Sequence, residues 1–237
     1  PWPRNQVAEL IDRLTNLGAK VIAFDIVFAE PDRTSISMLV DEIPGLSPDA
    51  VETIKQIPTN DAVMAAAIKE SGRVVLGHTP LNVERTHAGY TKTSIRGFSG
   101  ADPTPFLERH RFILRNVEEL DRAAAGRGVF SVASDRLDGI VRRVSMMVTD
   151  PEGIFPSLSL EAIRIFKNGR TVIAKTNEGG SVESINLQIL RPVRENIEIS
   201  TDAFSRIWVY YAPHSEYLSQ YVSAADVMLD RVDPNRI

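Results

Sequence analysis

The residues of this chain that could do chemistry are acids and arginines at predicted strand ends and turns. They are Asp25, Asp32, Arg33, Asp61, Asp135, Asp138, Arg142 and Arg143, with His78 at the end of a second apolar run. Carboxylates and guanidinium groups so placed either close structural ion pairs or line a polar pocket that reads a small charged ligand through paired hydrogen bonds. Arg142 and Arg143 are consecutive in a strand-like segment, so they project from opposite faces, and one of them needs a carboxylate partner. Asp25 and the segment from Asp138 to Arg143 are therefore expected to approach each other, because charged groups at buried strand ends need partners.

Most recognisable catalytic apparatus is missing. The sequence has no G-x-x-x-x-G-K-[ST] loop, no G-x-G-x-x-G, no G-x-S-x-G elbow and no H-E-x-x-H. Gly97-Phe98-Ser99-Gly100 falls one residue short of the elbow. The four histidines, His78, His87, His110 and His214, are too dispersed to suggest a metal cluster. With no cysteine, thiol catalysis, disulfides and thiolate metal sites are excluded. No cofactor is expected. The enzymatic alternative is a small α/β hydrolase or transferase using Asp25 with Asp135 or Asp138, which lacks any activated nucleophile.

The elements that would hold these groups are legible from periodicity. Val7, Leu10, Ile11, Leu14 and Leu17 recur at helical spacing, with Gly18 as a stop. Val21 to Phe24 then reads as a strand buried on both faces, a central strand ending at Asp25. Open α/β sheets place their ligands at such carboxyl ends. A short helix is expected near Pro48–Gln56, a longer one from Asn60 to Glu70, and a second buried strand from Arg73 to Gly77. Strand, helix, strand in that order implies a parallel pair. From His78 to Asn116 periodicity is lost, and this excursion is expected to cover or line any pocket. Further on, the pattern gives a helix over 117–126, strands over 128–133 and 140–148, and a helix from Pro156 to Lys167 with Pro156 at its first position. A run of strands over 171–211 and a last helical segment over 215–229 complete the chain. The expected fold class is α/β, with a mixed, partly parallel sheet flanked by helices, in one domain covering 1–237 with its excursion at 78–116.

Composition narrows the partners. At 43% hydrophobic and 24% charged, the chain can bury a sizeable core. The 27 basic and 31 acidic residues leave a net charge of −4, and without a basic block nucleic acid is not an expected partner. No apolar run approaches the roughly 20 residues that span a bilayer, and there is no signal peptide. The start at Pro1-Trp2-Pro3, with no Met, reads as a piece cut from a longer protein.

The blocks GAKVIAFDIVFAEPDRTS, DAVMAAAIKESGRVVLG, GRGVFSVASDRLDGIVRRV and FPSLSLEA, followed by RIWVYYAP and SAADVML, occur in sequence along nearly the whole chain. Together they resemble the second CHASE family, the sensing extracellular domain associated with cyclases and histidine kinases. The RTS after Asp32 and the insert behind it look most like members attached to proteobacterial adenylate cyclases. Two departures stand out: Asp135 to Gly139 is looser than the usual acid-x-acid-Gly turn, and Ser205 stands where a turn glycine is common.

The resemblance implies a non-catalytic sensor on the periplasmic or extracellular side of a bacterial inner membrane. One membrane helix would precede it, several would follow, and the output would be a class III adenylate or guanylate cyclase. A histidine or Ser/Thr kinase is the alternative output. The implied partners are an unidentified small-molecule or ionic ligand, flanking membrane helices and a second copy of the parent, with the first helix contributing to a symmetric dimer. Both termini would then face the membrane.

Overall fold

The computed structural model describes residues 2–81, 83, 93, 95–130, 138–189, 195–213, 215–216 and 220–237. The first half runs α1 (Arg4–Asn16), β1 (Ile22–Phe24), α2 (Ile36–Leu39), α3 (Pro48–Lys55), α4 (Asn60–Ser71), β2 (Val74–Leu81), β3 (Ile95–Ser99), β4 (Glu108–Arg109), β5 (Phe112–Leu114), α5 (Glu118–Ala123) and β6 (Gly126–Val129). The second half runs β7 (Arg143–Ser145), β8 (Met147–Asp150), β9 (Gly153–Pro156), α6 (Leu158–Phe166), β10 (Gly169–Thr176), β11 (Val182–Ile189), β12 (Glu195–Ser200), β13 (Arg206–Trp208) and α7 (Ala224–Met228). The fold is mixed α/β, as the sequence predicts.

Local chemistry sets the boundaries. Helix α1 ends at Leu17, and Gly18 takes φ 97°, a region glycine enters without strain. The Thr59 hydroxyl accepts the Ala62 N–H to start α4, and Gly72 at φ 63° ends it. Helix α6 begins two residues later than the sequence suggests. Pro156 is the last residue of β9, paired with Met147, and the Ser157 hydroxyl caps the helix by accepting the Leu160 N–H at 3.2 Å. A serine cap satisfies an orphan amide that a proline cannot.

The centre of the first sheet is β2 rather than β1. Strand β1 pairs with β2 alone, and Ala23 is exposed. Strand β2 has β1 on one side and β6 on the other, both parallel, while its far end pairs antiparallel with β5. Val74 to His78 are accordingly buried throughout. An unbroken apolar run reports burial of a segment, not how many neighbours it has, which is why the two strands look alike in sequence. The 78–116 excursion likewise contains ordered elements: the end of β2, then β3, β4 and β5, with Ile113 fully buried. Residues 82, 84–92 and 94 of it lie outside the described residues. Of the expected final helix over 215–229, the described residues show a helical pair at 215–216 and the short α7.

Two cores result. Ala8, Ile11, Met64, Ile68, Val74, Leu76 and Leu120 close α1, α4 and α5 over one face of the first sheet. Met146, Met147, Leu160, Val172, Ile185 and Leu187 form the other, beneath the sheet ordered β12-β11-β10-β3. Each fully buried Leu, Ile or Met contributes about 1.5–3 kcal/mol. The seam between the cores depends on Gly128 in the GRG segment, where a Cβ would overlap the backbone of Ser157 and Leu158 at the start of α6. Helix α7 packs on α1, with Arg13 and Asp230 paired at 2.6 Å, so the two terminal segments run side by side. Among the described residues no helix is long and apolar enough to cross a membrane.

Candidate functional site

Three parallel strands bring their carboxyl ends to one edge. Phe24 pairs with Leu76, and His78 pairs with Val129, so Asp25 stands level with the Gly77-His78 step. Behind that edge lies a buried polar knot. His78 is 2% exposed and Asp121 1%, and His78 Nε2 sits 3.1 and 3.2 Å from the two carboxylate oxygens of Asp121. A carboxylate only accepts, so Nε2 carries the proton. Nδ1 is buried and has no hydrogen-bond partner among the described residues. Asn116 completes the knot: its amide donates to Asp121 Oδ1 at 2.9 Å and to the Gly77 carbonyl at 3.2 Å. Its side-chain oxygen accepts the Phe28 N–H at 2.7 Å. The loop after β1 is thus bolted to β2 and α5 through Phe28.

The same loop is clasped to the start of α1. The Arg4 guanidinium packs over the Phe28 ring at 5.3 Å, pairs with Asp61 and donates to the Glu30 carbonyl. Asp61 Oδ2 also accepts the Asp32 N–H at 2.9 Å. Asp32 in turn accepts the Arg4 N–H at 2.8 Å, the Thr34 N–H at 2.9 Å and the Asn60 amide at 3.0 Å. Burial pushes the Asp32 carboxyl up, but the bonds from Arg4, Thr34 and Asn60 outweigh it and hold the group at about 2. Burial also pushes the Arg4 guanidinium down, opposed by the Asp32 charge. A cation in the first turn of a helix opposes the macrodipole, and here Asp32 and Asp61 offset it.

The predicted site residues therefore fall into separate groups. Asp32 and Asp61 meet at the clasp; His78 lies in the knot. Asp25 and Arg33 are exposed on the connecting loop, where Arg33 pairs with Glu30 at 2.8 Å. Asp25 has no hydrogen bond or ion pair among the described residues. The expected approach of Asp25 to the 138–143 segment is not seen, and the reason is local. Asp138 pairs with Arg142 at 2.6 Å, and that bond with the Ile140 N–H lowers its carboxyl to about 2. Arg143 lies 3.7 Å from Asp202 and stacks over Trp208 at 4.3 Å. Asp25 itself is solvated and needs no partner. Asp135, His87 and His214 lie outside the described residues, and His110 sits 3.4 Å from Glu108.

Sequence reasoning missed Arg4, Phe28, Asn60, Asn116, Asp121 and Asp202. Two of them carried a signal. Asp121 occupies an inward position of the short helix, spaced four from Val117 and one from Leu120, and Arg4 is a cation in a first turn. Asn116 and Asp202 act through loop geometry that no spacing reveals. The arrangement ties the loop after β1 to α1, β2 and α5; among the described residues no group of three or more His, Asp and Glu could hold a metal ion.

Comparison with family models identifies one family. The family model described as CHASE2 domain matches residues 1–237, the whole chain. No curated protein and no solved structure matches it. The chain therefore belongs to the CHASE2 family of extracellular sensor domains found in signalling receptors.

Proposed function

We propose that this chain is the signal-sensing domain of a bacterial transmembrane receptor on the periplasmic or extracellular side of the inner membrane. Its ligand is a small charged molecule or ion, bound at the carboxyl edge of the parallel strands by Asp25 and Arg33 on the 25–35 loop. Asp32, Asp61 and His78 act behind them by fixing that loop. The observation that carries this reading is the continuous linkage from the loop to α1: Asp32 and Asp61 hold Arg4, and Phe28 holds both Arg4 and the knot at His78. A ligand that prefers one loop arrangement would bias the first turn of α1, and a ligand with equal affinity for both would shift nothing. The terminal segments, side by side at α1 and α7, suit a domain hung between membrane helices.

The output served is an adenylate or guanylate cyclase of class III, whose sites form between two chains in the class the sequence resembles, so the sensor acts on how two protomers meet. A kinase output would use the same geometry. A thermal-shift screen of the 237-residue chain with amino acids, dicarboxylates, sugars, nucleotides and simple ions tests the sensing claim. The expected result is stabilisation by one class, lost in the Asp25→Ala, Arg33→Ala double variant. Stabilisation that survives that substitution, or none at all, would remove the carboxyl edge as the sensing site.

A further inference from the structure

An exposed aromatic surface lies on the ribbon formed by β7 and β13. Val144 and Ile207, which pair across the ribbon, pack on the second core. Alternation then turns Arg206, Trp208 and Tyr210 outward with Arg143 beside them. Beyond the ladder the ribbon continues, as the Val209 N–H donates to the Arg142 carbonyl at 2.9 Å and the Tyr211 hydroxyl to the Val141 carbonyl at 2.6 Å. Trp208 is 64% exposed and Tyr210 99%. Neither the knot nor the clasp uses any of these residues.

The composition of the face identifies its kind of partner. Trp, Tyr and Arg are the residues that dominate protein interfaces energetically. Trp208 and Tyr210 offer roughly 350 Å² of exposed surface on this face, toward the roughly 800 Å² per partner of a standard interface. The charges beside the rings are balanced: Asp202 pairs with both Arg206 and Arg143. A surface for anionic lipid or nucleic acid would carry unpaired cations. A face whose arginines and carboxylates alternate is complementary to itself under a two-fold axis, which is what an isologous contact requires.

We propose that the outer face of the β7–β13 ribbon is the contact through which two copies of this chain associate. The proposal deepens the receptor reading, in which the relation between protomers carries the signal, and it replaces the first helix as the principal contributor.

Sedimentation equilibrium of the 237-residue chain tests it, with the Trp208→Ser, Tyr210→Ser double variant and, as control, Phe166→Ser on the exposed side of α6. Because all three positions are exposed, each variant should keep the wild-type melting temperature. Reversible dimerisation weakened at least about tenfold by the ribbon variant and unchanged by the control is the expected result. A chain monomeric up to about 1 mM, or a dimer indifferent to the ribbon variant, overturns the proposal. Binding of the monomer to lipid vesicles through Trp208 and Tyr210 would overturn it in favour of a membrane. None of these outcomes changes the thermal-shift result at Asp25 and Arg33, so failure here is separable from failure of the sensing site.

Discussion

Removing Asp61 tests the clasp most sharply. Asp61→Ala leaves the Arg4 guanidinium buried beside the Glu30 carbonyl and the Phe28 ring, with the Asp32 charge still acting on it, and strips the Asp32 N–H of its acceptor. Breaking one side of a buried ion pair costs about 3–5 kcal/mol, because the surviving charge is uncompensated. At about 2–4 °C per kcal/mol for a chain of this size, the melting temperature should fall by roughly 10 °C. The Arg4→Met, Asp61→Leu double variant removes both charges and keeps apolar volume beside Phe28. It should recover most of that loss, since replacing a buried pair with apolar groups is often nearly neutral. Urea unfolding of Arg4→Met, Asp61→Leu and the double variant gives the coupling directly, with an expected value of about 2–3 kcal/mol. Additive effects, or an Asp61→Ala cost below about 0.5 kcal/mol, would refute the claim that this pair ties α1 to the loop.

Other consequences follow from single residues. Ser205 is fully buried at φ 62°, with its hydroxyl unpartnered among the described residues; Ser205→Gly should raise stability by about 1 kcal/mol, whereas β-branched Ser205→Val should lower it by more than about 2 kcal/mol, both read by thermal unfolding. Gly128→Ala places a methyl against backbone at the start of α6, and a loss of about 2–3 kcal/mol is expected in urea titration. Asp32 is held at about 2 when folded, below its unfolded value near 3.9. Its contribution is therefore present above about pH 4 and lost as pH falls through about 2; after discounting for solvent screening it amounts to about 1 kcal/mol. Asp32→Asn should flatten the acid limb of a stability–pH curve in that window and leave the neutral region nearly parallel to wild type.

How much of this was readable beforehand depended on whether a signal was local. Gly18 and Gly72 mark the ends of α1 and α4 because a left-handed residue terminates a helix whatever surrounds it. The parallel pairing of β1 with β2 followed from the helix between them. The exposed side of β1 did not, because Ala23 is apolar by type and exposed by position. The site divides the same way. Asp32 and Asp61 could be singled out as acids at turns, but their shared partner Arg4 lies 28 and 57 residues away in the chain. Arg142 and Arg143 did need carboxylates, and found them at Asp138 and Asp202 rather than at Asp25. Ser205 is the informative exception. It stands where a turn glycine is common in the family, and its backbone takes φ 62°, the left-handed region that favours glycine.

Hydrogen exchange tests the central claim, that a ligand at the carboxyl edge acts on the first helix. Exchange would be followed across residues 2–35 with and without the compound that most raises the melting temperature. The account predicts slowed exchange in the 25–35 loop together with the amides of Arg4 to Val7, and loss of the second effect in Asp61→Ala while the first persists. Protection confined to other segments, with the loop and the first turn of α1 unchanged by a compound that does bind, would contradict it.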